Sequence, residues 1–239
     1  MVRHGQSTAN VAYAEAERTG STVPLPGRDA EVPLSALGRT QAGALGGWLA
    51  GISGGGGSAG GGVGDDSGGG ADGGGGPGPD LVVCSPYVRA RQTWESMAGH
   101  PRVVPPPLLV DERLRDRETG IFELHPPGAQ RARAPGEAER RALVGDWFYR
   151  PPGVEALTDV VLRVRDFVNE LDRVAGGRRV LLVAHDAIAA AVRLVCAGLG
   201  AASPGALPPV PNASVSQWES DGGRLRLTRW GETAHLDPG

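Results

Sequence analysis

Lysine is missing altogether: the 24 basic residues counted as lysine plus arginine are all arginine. A phosphate loop of the GxxxxGKS/T type is thereby excluded, because it needs a lysine to complete it. The imbalance reads as a coding bias, although guanidinium also matches phosphate oxygens bidentately. Cysteine is scarce as well. Cys84 and Cys196 cannot make a disulfide framework, and both sit in apolar stretches that read as core. An excess of positive charge is lacking too: the formal net charge is −3, which argues against a nucleic-acid partner. No apolar run is long and clean enough for a membrane span. The longest, residues 180–202, is broken by His185, Asp186 and Arg193. With only Met1 and Val2 before Arg3 there is no signal peptide to read, and a reducing, cytoplasmic setting is expected.

The 239 residues suit a single α/β domain spanning 1–239, large enough to bury a core without staples. Residues 51–80 break the pattern. More than half of them are glycine and almost none are apolar, so they are expected to form a flexible surface insert. On either side, strand and helix signals alternate. Residues 35–50 repeat apolar side chains at helical spacing, residues 81–84 (LVVC) read as a short buried strand, and Pro86 opens a helix through Arg89 and Trp94. A further strand is expected around the proline run, at Val103-Val104 and residues 108–110. Residues 126–152, arginine-rich and bounded by prolines, read as an irregular or helical excursion near the site mouth. Residues 155–174 carry the clearest amphipathic pattern, residues 179–184 read as a central parallel strand, and residues 187–199 return as a helix. A hairpin is expected to pair residues 214–218 with 225–230 across the turn Ser220-Asp221-Gly222-Gly223. This alternation predicts a three-layer α/β/α sandwich around a mostly parallel sheet.

Three segments carry the chemistry. Residues 3–10 read RHGQSTAN, residues 85–93 read SPYVRARQT, and residues 180–186 read VLLVAHD. His4, Ser85 and His185 each follow a short apolar run, so in such a sheet all three gather beyond the carboxyl ends of the strands, where ligands bind. A neutral imidazole can attack phosphorus, and the arginine beside it can hold phosphate oxygens.

In this order, the three segments resemble the histidine phosphatase superfamily, the phosphoglycerate mutase-like enzymes, over nearly the whole chain outside residues 51–80. That resemblance implies that His4 is the nucleophile that becomes phosphohistidine. It implies that Arg3, Arg89 and His185 complete the phosphate pocket, and that Asn10 donates to the phosphate. Gln6 and Ser7 are weaker substrate-binding candidates, because either could simply cap the next helix. The segment DERLRDRETGIFE, residues 111–123, is similar to the one that supplies a carboxylic acid in the family. Its alignment puts Asp116 at the acid's position, where glutamate is usual, and leaves Glu118 as the alternative. The implied substrate is a small phosphomonoester, with neither metal nor cofactor.

The chain departs from the family pattern in places. Asp186 follows His185 where glycine is more common, and Val154 and Ala156 flank Glu155 in a turn that usually reads GGES. Tyr149 and Arg150 could line the site mouth, but they read more naturally as a packed aromatic and a surface arginine. A phosphotransferring mutase is the first alternative to a phosphatase, disfavoured by the absence of an ERHYG-type acid segment. A non-catalytic phosphate-binding module is the second. The strand leading to His4 has almost no length before Arg3, so an upstream start is expected.

Overall fold

The computed structural model describes residues 1–53, 78–198, 209–220 and 222–237. Six strands form one sheet: β1 (Val2–Arg3), β2 (Leu81–Cys84), β3 (Leu108–Val110), β4 (Val180–Ala184), β5 (Val215–Ser220) and β6 (Leu225–Glu232). Their order across it is β3-β2-β4-β1-β5-β6. The first four run parallel, while β5 is antiparallel to both β1 and β6.

Alternate side chains along the central strands face opposite layers, as the strand period of two requires. Val82, Cys84, Leu181 and Val183 pack with Leu45 and Leu49 of α2 (Ala36–Ser53) and with Ala90, Trp94 and Met97 of α3 (Val88–Ala98). Leu81, Val83, Leu182 and Ala184 point the other way. They meet Val160, Val164 and Phe167 of α6 (Leu157–Ala175) and Ile188, Ala191 and Val192 of α7 (Asp186–Ala197). The result is a three-layer α/β/α sandwich. The remaining helices, α1 (Thr8–Thr19), α4 (Pro127–Arg133) and α5 (Pro135–Val144), lie outside this stack, with Ala9 of α1 joining a small cluster around Val32 and Leu124. None of the described helices is long and apolar enough to cross a membrane.

Several boundaries differ from the sequence reading. The helix expected over 35–50 runs on to Ser53, three residues into the glycine-rich segment, and the bulk of that segment lies outside the described residues. Only residues 108–110 of the proline region form a strand. Val103 is buried in the core and Val104 is fully out in solvent, and the three prolines that follow have no N–H to offer a ladder. The excursion at 126–152 is helical, as α4 and α5. The hairpin forms with a bulge near Val215 and Gln217, and Asp221 of its turn and Leu199 lie outside the described residues.

Candidate active site

Sheet register explains why three distant segments meet. Arg3 is level with Ala184, and Cys84 is level with Val183. The residue after each strand therefore emerges at one edge, with His185 on the central strand flanked by His4 and Ser85. Helices α1 and α7 both begin at this edge, so their positive ends face it. A cavity of about 690 Å³ opens there, lined among others by Arg3, His4, Asn10, Tyr13, Asp29, Arg89, Asp116, Arg117 and Asp186.

His4 is 2% exposed and its backbone is tied on both sides, through its N–H to Ala184 and through its carbonyl from Ala213. Its Nδ1 lies 2.7 Å from the carbonyl oxygen of Gly5. A carbonyl only accepts, so Nδ1 carries the proton and Nε2 keeps its lone pair. Burial lowers the His4 pKa well below its ordinary value, and the neighbouring His185, Arg89 and Arg3 lower it further. The ring is thereby held neutral, with its lone pair on Nε2. Gly5 is required for a reason other than approach to phosphate. A Cβ there would stand 2.5 Å from the carbonyl oxygen of Gly38, and one on Gly38 only 2.0 Å from that of Gln6. The histidine loop and the start of α2 touch backbone to backbone.

His185 is wholly buried, with its ring 5.1 Å from that of His4 and 5.2 Å from that of Tyr87. Its Nε2 lies 2.8 Å from the Ser85 hydroxyl, and Asp116 Oδ2 stands 3.2 Å from its Nδ1, near enough for an ion pair but not aligned as a hydrogen bond. Asp116 also accepts from Arg89 at 2.8 Å and, through Oδ1, from the Arg117 N–H. Burial pushes the Asp116 carboxyl up, but His185 and Arg89 outweigh it and hold the group well below the usual carboxylate range. Glu118 points elsewhere: its side chain is 46% exposed and faces Arg115 at 3.7 Å. Geometry thus separates the two acids that the sequence left open.

Arg89 is buried and stacks over Tyr87, with its guanidinium carbon 4.8 Å from the ring centre. Both terminal nitrogens are engaged. One donates to the carbonyl and Oδ1 of Asp29, the other to Oδ2 of Asp29 and to Asp116. Burial raises the Asp29 carboxyl above its ordinary value, Arg89 pulls it down, and Asp116 pushes it up again. Arg3 donates to the Val210 carbonyl and lies 3.5 Å from Asp186, which accounts for the acid that follows His185. Four buried side-chain nitrogens among the described residues lack a hydrogen-bond partner, and three of them are Arg3 Nε, Arg117 Nε and His185 Nδ1. Such orphans are uncommon; two of them belong to Arg3 and Arg117, which line the cavity, whereas His185, wholly buried, turns its Nδ1 toward the Asp116 carboxylate.

The weaker candidates take structural roles. Ser7 caps α1, accepting from the Asn10 N–H, while the Asn10 side chain accepts in return from the Ser7 N–H. Asn10 lines the cavity with its Oδ1 also taken by Asn212, so its amide nitrogen is the group that could donate to a phosphate. Gln6 does not line the cavity; its side chain accepts from Ser35 at the start of α2. Tyr149 is buried and donates to Glu137, and Arg150 pairs with Asp159 on the surface. Asp29, Tyr13 and Arg117 were not found from the sequence. No motif flags Asp29 or Tyr13, and Arg117 sits in residues 111–118, DERLRDRE, where acidic and basic side chains alternate as on any solvated loop.

His4, Asp116 and His185 present ligand atoms within 4.8 Å of one another, the spacing that could hold a metal ion. The guanidiniums of Arg3 and Arg89 beside them disfavour a dication and favour an anion.

The family profile for the histidine phosphatase superfamily (branch 1) matches residues 76–233. The chain belongs to that superfamily. The chain is 30% identical to the structure titled "Mycobacterial hydrolase 1", with a TM-score of 0.70 and coverage of 98% of this chain and 97% of that one. It is also 30% identical to mycobacterial glucosyl-3-phosphoglycerate phosphatase complexed with VO3, with a TM-score of 0.70 and 98% of each chain covered. YhfR of Bacillus stearothermophilus shares the fold at 21% identity, with a TM-score of 0.73 and coverage of 99% and 97%. No curated protein matches the chain. The matched segment contains Arg89, Asp116 and His185 but not the loop that carries His4, so the position of His4 among them is a finding of the fold itself.

Proposed function

We propose that this chain hydrolyses a small phosphomonoester, a soluble phosphorylated metabolite, through a phosphohistidine on His4 and without a metal ion. The observation that carries the reading is the His4 imidazole, pinned through Nδ1 to Gly5 so that Nε2 is the attacking atom, with Arg3 and Arg89 lining the same cavity and the His185 ring 5.1 Å away. In the first step Nε2 bonds to phosphorus as the ester oxygen leaves. Arg3, Arg89 and His185 spread positive charge around the oxygens of the transferring group, where stabilisation of phosphoryl transfer is concentrated. Asp116 protonates the departing alkoxide. Its carboxyl is held ionised in the free site, but the incoming phosphate dianion occupies the same cations and adds like charge, which raises the carboxyl's affinity for a proton. In the second step water attacks phosphorus, its proton passing to the phosphate being released, and the N–P bond breaks to free His4 and inorganic phosphate.

Relatives that are phosphatases by title support hydrolysis over transfer. The test is turnover of a phosphomonoester panel by chelator-treated protein. Phosphate release is expected to persist, an acid-labile phosphoenzyme is expected on rapid quench, and His4→Ala is expected to abolish both. Wild-type activity in His4→Ala, or loss of turnover on chelation, overturns the mechanism. Phosphate appearing on an acceptor rather than in solution makes the protein a mutase.

A further inference from the structure

Beneath the cavity, a buried ion pair joins Glu155 to Arg163 of α6, with side chains only 9% and 11% exposed. The pairing is bidentate, 3.0 Å from Nε to Oε2 and 2.6 Å from Nη2 to Oε1. Such a pair adds little to stability over well-packed apolar side chains of similar volume. What it does instead is visible in its other bonds. Arg163 donates through Nη1 to the Arg113 carbonyl at 2.5 Å and through Nη2 to the Asp116 carbonyl at 3.2 Å. Glu155 accepts from the Glu118 N–H at 3.3 Å. Between the single turns Glu112–Leu114 and Gly120–Phe122 this stretch has no helix or strand to fix its backbone, so these bonds hold it from below. On its upper side stands the Asp116 carboxylate, between Arg89 and His185.

We propose that Arg163, oriented by Glu155, is a positioning residue for Asp116. It sets where the carboxylate stands relative to His185 and the leaving oxygen. The inference rests on the reading of Asp116 as proton donor. Only a guanidinium meets the demand, because its planar fork can grip a carboxylate and two carbonyls at once, whereas an ammonium offers three donors from one point. Misplacement of a reacting group by about 1 Å costs up to about a hundredfold in rate.

The test compares Arg163→Lys, Arg163→Met and Glu155→Gln with Asp116→Asn and Glu118→Gln. Each is assayed for kcat and KM on p-nitrophenyl phosphate and on the alkyl phosphate the enzyme turns over fastest. Asp116→Asn is expected to lose about a hundredfold to ten-thousandfold in kcat on the alkyl ester and far less on the aryl ester, whose leaving group barely needs a proton. The Arg163 variants are expected to keep KM and to lose at least about tenfold more kcat on the alkyl than on the aryl ester. Combined with Asp116→Asn, they add nothing to that selectivity, as expected for residues that act as a unit. Activity on the aryl ester reports that each variant is folded, and Arg163→Lys, which keeps the charge and most of the packing, decides the matter if Arg163→Met does not fold. Equal losses on both esters in Asp116→Asn, or a selective loss in Glu118→Gln alone, defeat the proton-donor reading. A selective Asp116→Asn beside Arg163 variants that are unselective or fully active defeats the positioning role alone.

Discussion

Replacing Asp29 by asparagine is expected to tighten the binding of phosphate. In the free protein the two terminal nitrogens of Arg89 spend their hydrogens on the Asp29 carbonyl, the two Asp29 carboxylate oxygens and Asp116. A phosphate that reaches Arg89 therefore displaces the Asp29 carboxylate, which occupies the guanidinium fork as a phosphate would. Hydrogen bonds to charged groups contribute about 1.5–3 kcal/mol each, and neutral ones roughly half as much. Asparagine keeps one neutral acceptor in the same place. The competition removed is then about 1.5 kcal/mol once the 28% exposure of the Asp29 side chain is allowed for, or roughly tenfold in Kd.

Isothermal titration with inorganic phosphate measures this directly, and pH supplies an internal check. Burial holds the Asp29 carboxyl above its ordinary pKa, so it protonates earlier than usual as pH falls and releases Arg89. The advantage of Asp29→Asn over the parent should be full near pH 7 and shrink toward none as pH drops through that raised range. A variant that binds phosphate equally or more weakly at pH 7 refutes the competition. It would show instead that Asp29 holds Arg89 in its working position.

Much of the site was legible because it rests on local patterns. His4, Ser85 and His185 each close an apolar run, and parallel strands in register turn that one-dimensional fact into a shared edge. The amphipathic stripe of α6 and the all-apolar β4 announce themselves through period and burial. Contacts with no local signal were out of reach. Nothing near Asp29 says that it will meet Arg89 sixty positions on, and a run of alternating charges gives no hint that Arg117 lines the cavity while Arg115 faces Glu118. The choice between Asp116 and Glu118 likewise needed three dimensions, since only the fold reveals which acid turns inward. The Glu155–Arg163 clamp lay half in view. Glu155 was marked as part of an altered turn, but its partner sits on the helix that follows, among residues that read as ordinary amphipathic surface.

Two further outcomes test the packing and the charge state of the site. Gly38→Ala forces its Cβ to 2.0 Å from the Gln6 carbonyl oxygen, and overpacking of this kind costs about 1–3 kcal/mol, so a fall in Tm with loss of activity is expected. Gly43→Ala in the same helix meets nothing within 4 Å and should stabilise by about 0.5–1 kcal/mol; equal effects in thermal melts would show that backbone contact at Gly38 is unimportant. The second outcome concerns His4, whose pKa is lowered by burial first and by His185, Arg89 and Arg3 after it. In the unfolded chain the group titrates near its ordinary value of about 6.5. Above that value neither state binds the proton and the stability His4 contributes is fully present; below it the unfolded chain takes up a proton that the folded site refuses. Between the two pKa values the folded state thus loses about 1.4 kcal/mol for each unit of falling pH. Urea unfolding of the parent and of His4→Gln between pH 7.5 and 5 isolates this contribution, because the other titrating groups largely cancel in the difference. The stability difference between the two proteins should shift against the parent at that slope below pH 6.5. A difference that stays flat to pH 5 would mean that His4 protonates in the folded protein as readily as in the unfolded chain, and that the site does not keep this imidazole neutral.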